Sequence, residues 1–441
     1  MSKYTPHTGQ DIDVMLREIG LNTVSELFQD IPDELKVKGD LKLNIPDGLS
    51  EMETLRLFKD IASKNKVYYS IFRGAGAYNH YIPSSVNNIT SRSEFLTTYT
   101  PYQAEISQGV LQSIFDFQTM MCELTGLDVS NACVYDGATA AAEACKMTLD
   151  KKKDHIYVSS AINPQVLQVI RTYLHPLDIE VRMVPVIDGK TDLEYLSYAL
   201  NENTACFYME QLNFYGLIEN AKDFGAVCQD RKIKFILGFN PIAAALLPSA
   251  SECKADIAVG EGQPLGLPLS FGGPYLGIMT CTSALMRKLP GRIVGETVDT
   301  HGKRAFVLTL QAREQHIKRE KSTSSICSNE ALCAMRAAVY LSTVGTRGLE
   351  QVAQQCLNRA HYLADQLCTI KGIRMRFHGE FFHEFVTVSD VSASRILEIC
   401  DEHQILAGYP VGENEILWCA TEMNSKADID YLVKCIKDAL K

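Results

Sequence analysis

Residues 131–149 have the sequence NACVYDGATAAAEACKMTL, in which a short apolar run passes through Asp136-Gly137 into an alanine-rich segment. Alanine is the best helix former, and Asp-Gly is typical of a turn. The same order recurs when HIYVSS (155–160) is followed by PQVLQVIRTYL (164–174), and further apolar runs such as KFILGF (234–239) continue the alternation. Continuous apolar strands alternating with helices predict an α/β fold with a mostly parallel sheet that is covered on both faces.

The chain has 441 residues, which is more than one hydrophobic core usually supports. We predict three regions: a helical arm over residues 1–65, an α/β large domain over residues 66–325, and a helical connection with a small α+β domain over residues 326–441. Within the arm, Ser50 and Glu53 form a capping-box pattern, which predicts that a helix begins there.

Composition limits the classes of partner. The formal net charge of −10 argues against a nucleic-acid-binding surface. The 14 cysteines are scattered without a CxxC pair, which predicts reduced, mostly buried thiols and no metal site. No apolar run is long enough to cross a bilayer. We therefore expect a soluble, cytoplasmic protein with no bound metal and with neither a nucleic-acid nor a membrane partner.

The junction of Asp136, Gly137, Ala138 and Thr139 is a candidate phosphate site. Free backbone N–H groups and the positive end of the helix dipole attract anions where a strand passes into a helix, and the threonine hydroxyl adds a donor. An ordinary helix start explains the same residues equally well, so both interpretations remain open.

Two further segments are candidates for a pocket or a partner surface. FRGAGAYNHYIP (72–83) and YTPYQAE (99–105) place tyrosines, a histidine and an arginine among glycines and prolines. The residues singled out there are Arg73, Tyr78, His80, Tyr99 and Tyr102. The loop GEGQPLGLPLSFGGP (260–274) has enough glycine to let a ligand approach its backbone closely, although a tight surface connection has the same composition.

Several enzyme classes lack their signatures in this sequence. There is no GxSxG nucleophile elbow, no HExxH zinc motif and no Cys/His ligand spacing. The glycines at 260, 262 and 266 miss the GxGxxG spacing by one residue. A Rossmann dehydrogenase and the common hydrolases are therefore disfavoured.

Four long stretches carry a family resemblance. They are YTPYQAEISQGVLQSIFDFQTMMCELTGLDVSNA (99–132), DGATAAAEA (136–144), GEGQPLGLPLSFGGPYLG (260–277) and PGRIVGETVDTHGKRAFVLTLQAREQHIKREKSTSSICSN (290–329). Together they resemble the glycine dehydrogenase (decarboxylating) family, the P-protein of the glycine cleavage system, over nearly the whole chain. The resemblance implies the pyridoxal-phosphate-dependent transferase fold of the aspartate aminotransferase type, fold type I.

In the catalytic half of that family, a lysine before the Gly-Gly-Pro run forms the Schiff base with pyridoxal phosphate. Gln263 stands at that position here, and Gly238, Phe239 and Asn240 stand where the acidic partner of the pyridine ring is expected. The resemblance thus implies that this chain alone has no catalytic residue. It also implies that the cofactor is held covalently by a lysine-bearing second subunit.

The function implied by the resemblance is that of the non-lysine subunit in a split, heteromeric glycine decarboxylase. Such a complex, with an expected α2β2 assembly, decarboxylates glycine and passes the aminomethyl group to the lipoyl arm of H-protein. The residues expected to face the shared cleft or interface are Arg73, Tyr78, His80, Tyr99, Tyr102, Gly272 and Gly273. Two alternatives stay open: an inactive scaffold or regulator with the same fold, and an autonomous pyridoxal-phosphate aminotransferase or lyase.

Overall fold

The computed structural model of the protein describes residues 6–39, 48–98, 100–150, 152–326 and 330–440. The chain divides into two units, Met1–Lys66 and Val67–Lys441. The first unit contains helices α1 (Gly9–Glu18) and α2 (Glu51–Ala62). The Ser50 hydroxyl accepts a hydrogen bond from Glu53 N, and the Glu53 carboxylate accepts one from Ser50 N. The predicted capping box is therefore confirmed.

The second unit contains the remaining helices and all the strands of the described residues. The helices are α3 (Ser84–Thr90), α4 (Ser93–Leu96), α5 (Gln108–Thr125), α6 (Gly137–Thr148), α7 (Pro164–Leu174), α8 (Leu193–Ala199), α9 (Ala221–Asp230), α10 (Gln315–Lys318), α11 (Ala331–Leu367), α12 (Ala393–Glu402) and α13 (Lys426–Ala439). The strands are β1 (Ser70–Ile71), β2 (Val129–Ser130), β3 (His155–Ser159), β4 (Glu180–Val184), β5 (Val186–Ile187), β6 (Lys190–Thr191), β7 (Thr204–Glu210), β8 (Lys234–Phe239), β9 (Ile257–Glu261), β10 (Gly277–Cys281), β11 (Ile293–Val298), β12 (Arg304–Thr309), β13 (Ile373–Met375), β14 (Glu384–Ser389), β15 (Ile405–Leu406), β16 (Tyr409–Pro410) and β17 (Glu415–Cys419).

A seven-stranded sheet forms the centre of the second unit, in the order β2-β10-β9-β8-β7-β3-β4. The five strands from β9 to β4 run parallel, whereas β10 is antiparallel to both of its neighbours. In this register Glu210, at the end of β7, lies opposite Gly238 on β8. The predicted mostly parallel α/β fold is confirmed.

Both faces of the central sheet are buried under helices. Successive side chains of a strand point to opposite faces, so each strand contributes to two cores. On β3, Ile156 and Val158 join the core that contains the alanines of α6 and the apolar side of α7. Tyr157, between them, joins the opposite core with Leu111 of α5 and Phe224 of α9. This arrangement explains why the strands appear in the sequence as continuous apolar runs without alternation.

A second, antiparallel sheet lies towards the carboxyl end of the chain, in the order β13-β14-β17-β16. It packs in one core with α12, α13 and the last turns of α11. The α11 segment spans 37 residues and is interrupted at Gly345, whose positive φ of 62° breaks the helical path. The boundary between residues 325 and 326 as a domain limit stays a prediction. Among the described residues, no helix is both long and apolar enough to cross a membrane.

Candidate functional site

A cavity of about 860 Å³ lies at the carboxyl ends of β7, β8 and β9. Open α/β sheets usually bind ligands at this edge. The amino end of α6, the segment Arg73–Tyr78 and residues Glu384 and Tyr409 also belong to the wall. The geometry therefore places the cavity where a fold of this class would hold a ligand.

The amino end of α6 is the predicted phosphate junction. The Asp136 side chain caps the helix by accepting a hydrogen bond from Thr139 N at 2.7 Å. Gly137 N donates at 2.9 Å to Oε2 of Glu261, at the end of β9. Ala138 lines the cavity beside them. Two carboxylates of the chain itself thus stand at the junction where an external phosphate would lie.

Glu261 is anchored by backbone donors on both of its oxygens. Besides Gly137 N on Oε2, Gln263 N and Leu276 N donate to Oε1 at 2.9 Å and 3.0 Å. Burial raises the pKa of Glu261 to about 7, although these three backbone hydrogen bonds act in the opposite direction. A phosphate arriving at α6 would find its donors occupied and a buried carboxyl group in its place.

Gln263, the residue at the expected Schiff-base position, is 1% exposed and fully engaged. Its Oε1 accepts a hydrogen bond from Tyr78 N, and its Nε2 donates to Tyr78 O and to Leu267 O, at 2.8–2.9 Å. The amide therefore ties the glycine-rich loop to the segment that contains Tyr78. No lysine occurs among the described residues that line the cavity, so the residues present do not fit covalently bound pyridoxal phosphate.

We expect Gln263→Ala to lower the free energy of unfolding by about 3 kcal/mol, because three buried hydrogen bonds contribute roughly 1 kcal/mol each. Urea denaturation of the full chain measures the change. Gln211→Ala is the matched control: this buried glutamine makes one side-chain hydrogen bond of ordinary length, to Pro248 O at 2.9 Å. Equal losses in the two variants would contradict a special role for the Gln263 amide.

The side chain of Glu210 lies beside Gly238, one of the three positions at which the acidic partner of the pyridine ring is expected. Gly238 leaves room for it, since a Cβ at 238 would lie 2.9 Å from the Glu210 side chain. Asn163 N and the Tyr208 hydroxyl donate to the two Glu210 oxygens at 3.0 Å and 3.4 Å. Burial raises the pKa of Glu210 to about 7, and the nearby carboxyl of Glu384 adds to the effect. Asn240 instead caps the turn that follows β8.

Glu384 provides a third buried carboxyl group in the cavity wall. Ala75 N donates to its Oε1 at 2.6 Å, and the Tyr78 hydroxyl donates to its Oε2 at 2.8 Å. Burial raises the pKa of Glu384 to about 7. The same burial, together with this carboxyl group, raises the pKa of Tyr78 far above its ordinary value. Tyr78 is thus a protonated hydrogen-bond donor that fixes one wall of the cavity.

Arg73 is the only basic side chain among the described residues of the wall. Its guanidinium donates to the carbonyl oxygens of Ala407 and Gly408 at 3.1 Å and 3.0 Å. These contacts hold the segment 73–78 against the residues that follow β15. The wall contains five carboxyl side chains, of Asp136, Glu210, Glu261, Glu330 and Glu384, and one arginine that is already hydrogen-bonded. This balance of charge is unfavourable for an anionic cofactor.

The other residues predicted for the cleft have different surroundings. His80 is buried and contacts Glu422, outside the cavity wall. Tyr102 is 54% exposed, and its ring lies 4.6 Å from the Arg292 guanidinium. Gly272 lines the cavity and Gly273 follows it, both with positive φ. Tyr99 lies outside the described residues.

Sequence reasoning missed Glu210, Glu261 and Glu384, whose carboxyl groups line the cavity. Two of them had a signal, because Glu210 and Glu261 each end an apolar strand of a parallel sheet. Residues at the carboxyl ends of such strands converge at one edge of the sheet. Glu384 begins β14, far along the chain, and had no comparable signal.

Known proteins match the chain over nearly its full length. A family model described as glycine cleavage system P-protein covers residues 2–436. The Desulfitobacterium hafniense protein named probable glycine dehydrogenase (decarboxylating) subunit 1 is 45% identical over 98% of both chains.

Solved structures agree with these sequence matches. The inhibitor-bound crystal structure of glycine decarboxylase (P-protein) of the glycine cleavage system superposes with a TM-score of 0.93 at 36% identity, over 99% of this chain and 100% of that one. A C-DES mutant with Gly covalently linked to its PLP cofactor shares the fold at a TM-score of 0.62 and 16% identity, over 86% of this chain and 98% of that one. The predicted fold class is confirmed, and the chain belongs to the glycine cleavage system P-protein family.

Proposed function

We propose that this chain is the non-lysine subunit of a heteromeric glycine decarboxylase. The observation that carries the proposal is the state of its own cavity. Gln263, at the expected Schiff-base position, has a fully hydrogen-bonded amide. At the phosphate junction, Glu261 and Asp136 accept from the N–H groups of Gly137 and Thr139. Relatives named subunit 1 of glycine dehydrogenase (decarboxylating) support the same assignment. The chain alone is then inactive towards glycine.

The proposal includes the partner proteins and the cellular location. A lysine-bearing second subunit holds pyridoxal phosphate covalently, the two chains form an α2β2 heterotetramer, and the lipoylated H-protein receives the aminomethyl group from glycine. The cytoplasm is the expected location. This chain contributes the wall of the shared cleft or the interface, through Arg73, Tyr78, His80, Tyr99, Tyr102, Gly272 and Gly273.

Within that wall, the structure supports positioning roles. Glu384 holds the hydroxyl of Tyr78 and the amide of Ala75, so the loop between them keeps a defined shape. Gln263 holds the backbone of the same loop from the other side. A preorganised loop of this kind keeps partner groups oriented and excludes water without reacting itself.

The experiment compares this chain, the lysine-bearing subunit and the two purified together, each supplied with pyridoxal phosphate, lipoylated H-protein and labelled bicarbonate. We expect exchange of label into glycine only with the pair. Full exchange by the second subunit alone would make this chain a scaffold or regulator. Borohydride fixation of the cofactor to a lysine of this chain would instead identify an autonomous enzyme and overturn the proposal.

A further inference from the structure

A cluster of three side chains of different chemistry lies behind the cavity wall: His80, Cys356 of α11 and Glu422, which follows β17. His80 Nδ1 lies 2.8 Å from Glu422 Oε2, and Cys356 Sγ lies 3.2 Å from the same oxygen. One ligand atom from each residue falls within 4.8 Å of the other two. We propose that this cluster is a binding site for a zinc-type divalent transition-metal ion.

The ligand set suits such an ion. Imidazole nitrogen, thiolate sulfur and carboxylate oxygen are the three donor types that zinc accepts in proteins. A thiolate disfavours magnesium and calcium, which prefer oxygen ligands. The charges also balance, because one carboxylate and one thiolate neutralise a dication in a buried place.

The spacing needs only small side-chain movements. A tetrahedral ion with bonds of about 2.0–2.3 Å separates its ligand atoms by roughly 3.5 Å. The contacts of 2.8 Å and 3.2 Å to Glu422 Oε2 would open slightly, and the third separation, no longer than 4.8 Å, would close or stay. Glu422 Oε1 already accepts a hydrogen bond from Tyr81 N at 2.7 Å, which orients the carboxylate.

The protons can be accounted for as well. Without an ion, the Cys356 thiol donates a hydrogen bond to Glu422 Oε2 at 3.2 Å. On binding, the ion takes the place of that proton, which leaves to solvent. Nδ1 of His80 becomes a ligand when the ring proton moves to Nε2, an atom that has no hydrogen-bond partner among the described residues.

The sequence did not indicate this site, because metal motifs are recognised by close spacing. Here His80 and Glu422 are 342 positions apart, and Cys356 and Glu422 are 66 apart. The fold alone brings them together. An ion here would join the segment that contains Tyr78 to α11 and to the end of β17, and would stabilise the cavity wall from behind.

Cobalt titration of the untagged, chelator-treated full chain tests the proposal. With a water molecule as the fourth ligand, we expect one equivalent to bind with tetrahedral visible bands and a thiolate-to-cobalt charge-transfer band, and zinc to displace it. Cys356→Ser removes the charge-transfer band. His80→Gln weakens affinity by more than the roughly 10–100-fold that changing an outer-shell partner costs. Cys400→Ser, a buried cysteine in the core of the second sheet, leaves both signals unchanged.

Two results would reject the site: no stoichiometric binding by the wild-type chain, or a charge-transfer band that persists in Cys356→Ser. Circular dichroism establishes whether the variants fold. If they do not, zinc X-ray absorption of the wild-type chain decides, because the proposal requires one sulfur ligand, and a spectrum with none or with several contradicts it.

Discussion

Replacing Glu261 by alanine is expected to lower the free energy of unfolding by about 4 kcal/mol. Three buried backbone N–H groups lose their acceptor, at roughly 1–3 kcal/mol each, while the cost of burying the carboxyl group is relieved. The donors are the backbone N–H groups of Gly137, Gln263 and Leu276. The same substitution frees the Gly137 N–H at the amino end of α6. We therefore expect Glu261→Ala, unlike the wild-type chain, to bind inorganic phosphate there.

Chemical denaturation measures the stability change, and thermal melting against increasing phosphate measures the new site. At 100 times its dissociation constant, phosphate would stabilise the variant by about 2.7 kcal/mol. Glu210→Ala is the matched control: it also removes a carboxyl group from the cavity, but one whose oxygens accept from Asn163 N and the Tyr208 hydroxyl and not from the amino end of α6. If phosphate stabilises the wild-type chain and Glu261→Ala equally, Glu261 does not occupy an anion site.

Raising the pH through neutrality is expected to destabilise the folded chain. Burial raises the pKa of Glu210 and of Glu384 from 4.5 to about 7. Between these values the folded chain keeps protons that the unfolded chain has released, so stability is highest below this window and falls as the pH rises through it. Each group contributes about 3 kcal/mol to the fall.

Glu210→Gln separates this effect from general pH dependence. A glutamine amide can accept from Asn163 N and donate to the Tyr208 hydroxyl, so the local contacts survive without a titrating group. We expect the loss of stability between pH 5 and pH 8.5 to shrink by about 3 kcal/mol in this variant. Burial lowers the pKa of His383 to about 3, which acts oppositely in acid, but this contribution cancels between the two proteins. Identical pH profiles would refute the role of Glu210.

Much of the fold could be predicted because its determinants are local. The apolar runs KFILGF and HIYVSS correspond to β8 and β3, and the Asp136 cap marks the start of α6. The order of strands in the central sheet could not be obtained in the same way. It depends on packing between distant segments, as the antiparallel pairing of β10 with β2 shows.

The residues of the candidate site show the same difference between what local sequence predicts and what depends on long-range packing. Gln263 could be singled out through the family resemblance, which implies a Schiff-base lysine at this distance before the Gly-Gly-Pro run. The roles of Glu261 and Glu384 could not, because each depends on which backbone N–H groups the fold brings to its oxygens. Likewise, His80 was expected in the cleft, but the structure places it against Glu422.

The pairing of β1 with β15 has a consequence for the order of folding. Ser70 pairs with Ile405, and Cys419 N donates to Phe72 O, so the segment that contains Tyr78 is fastened to the last part of the chain. Contacts between such distant positions form late, because a long loop must close before they can stabilise anything. During synthesis this wall of the cavity therefore remains undocked until the second sheet has left the ribosome, and a partner that recognises the wall can bind only a finished chain.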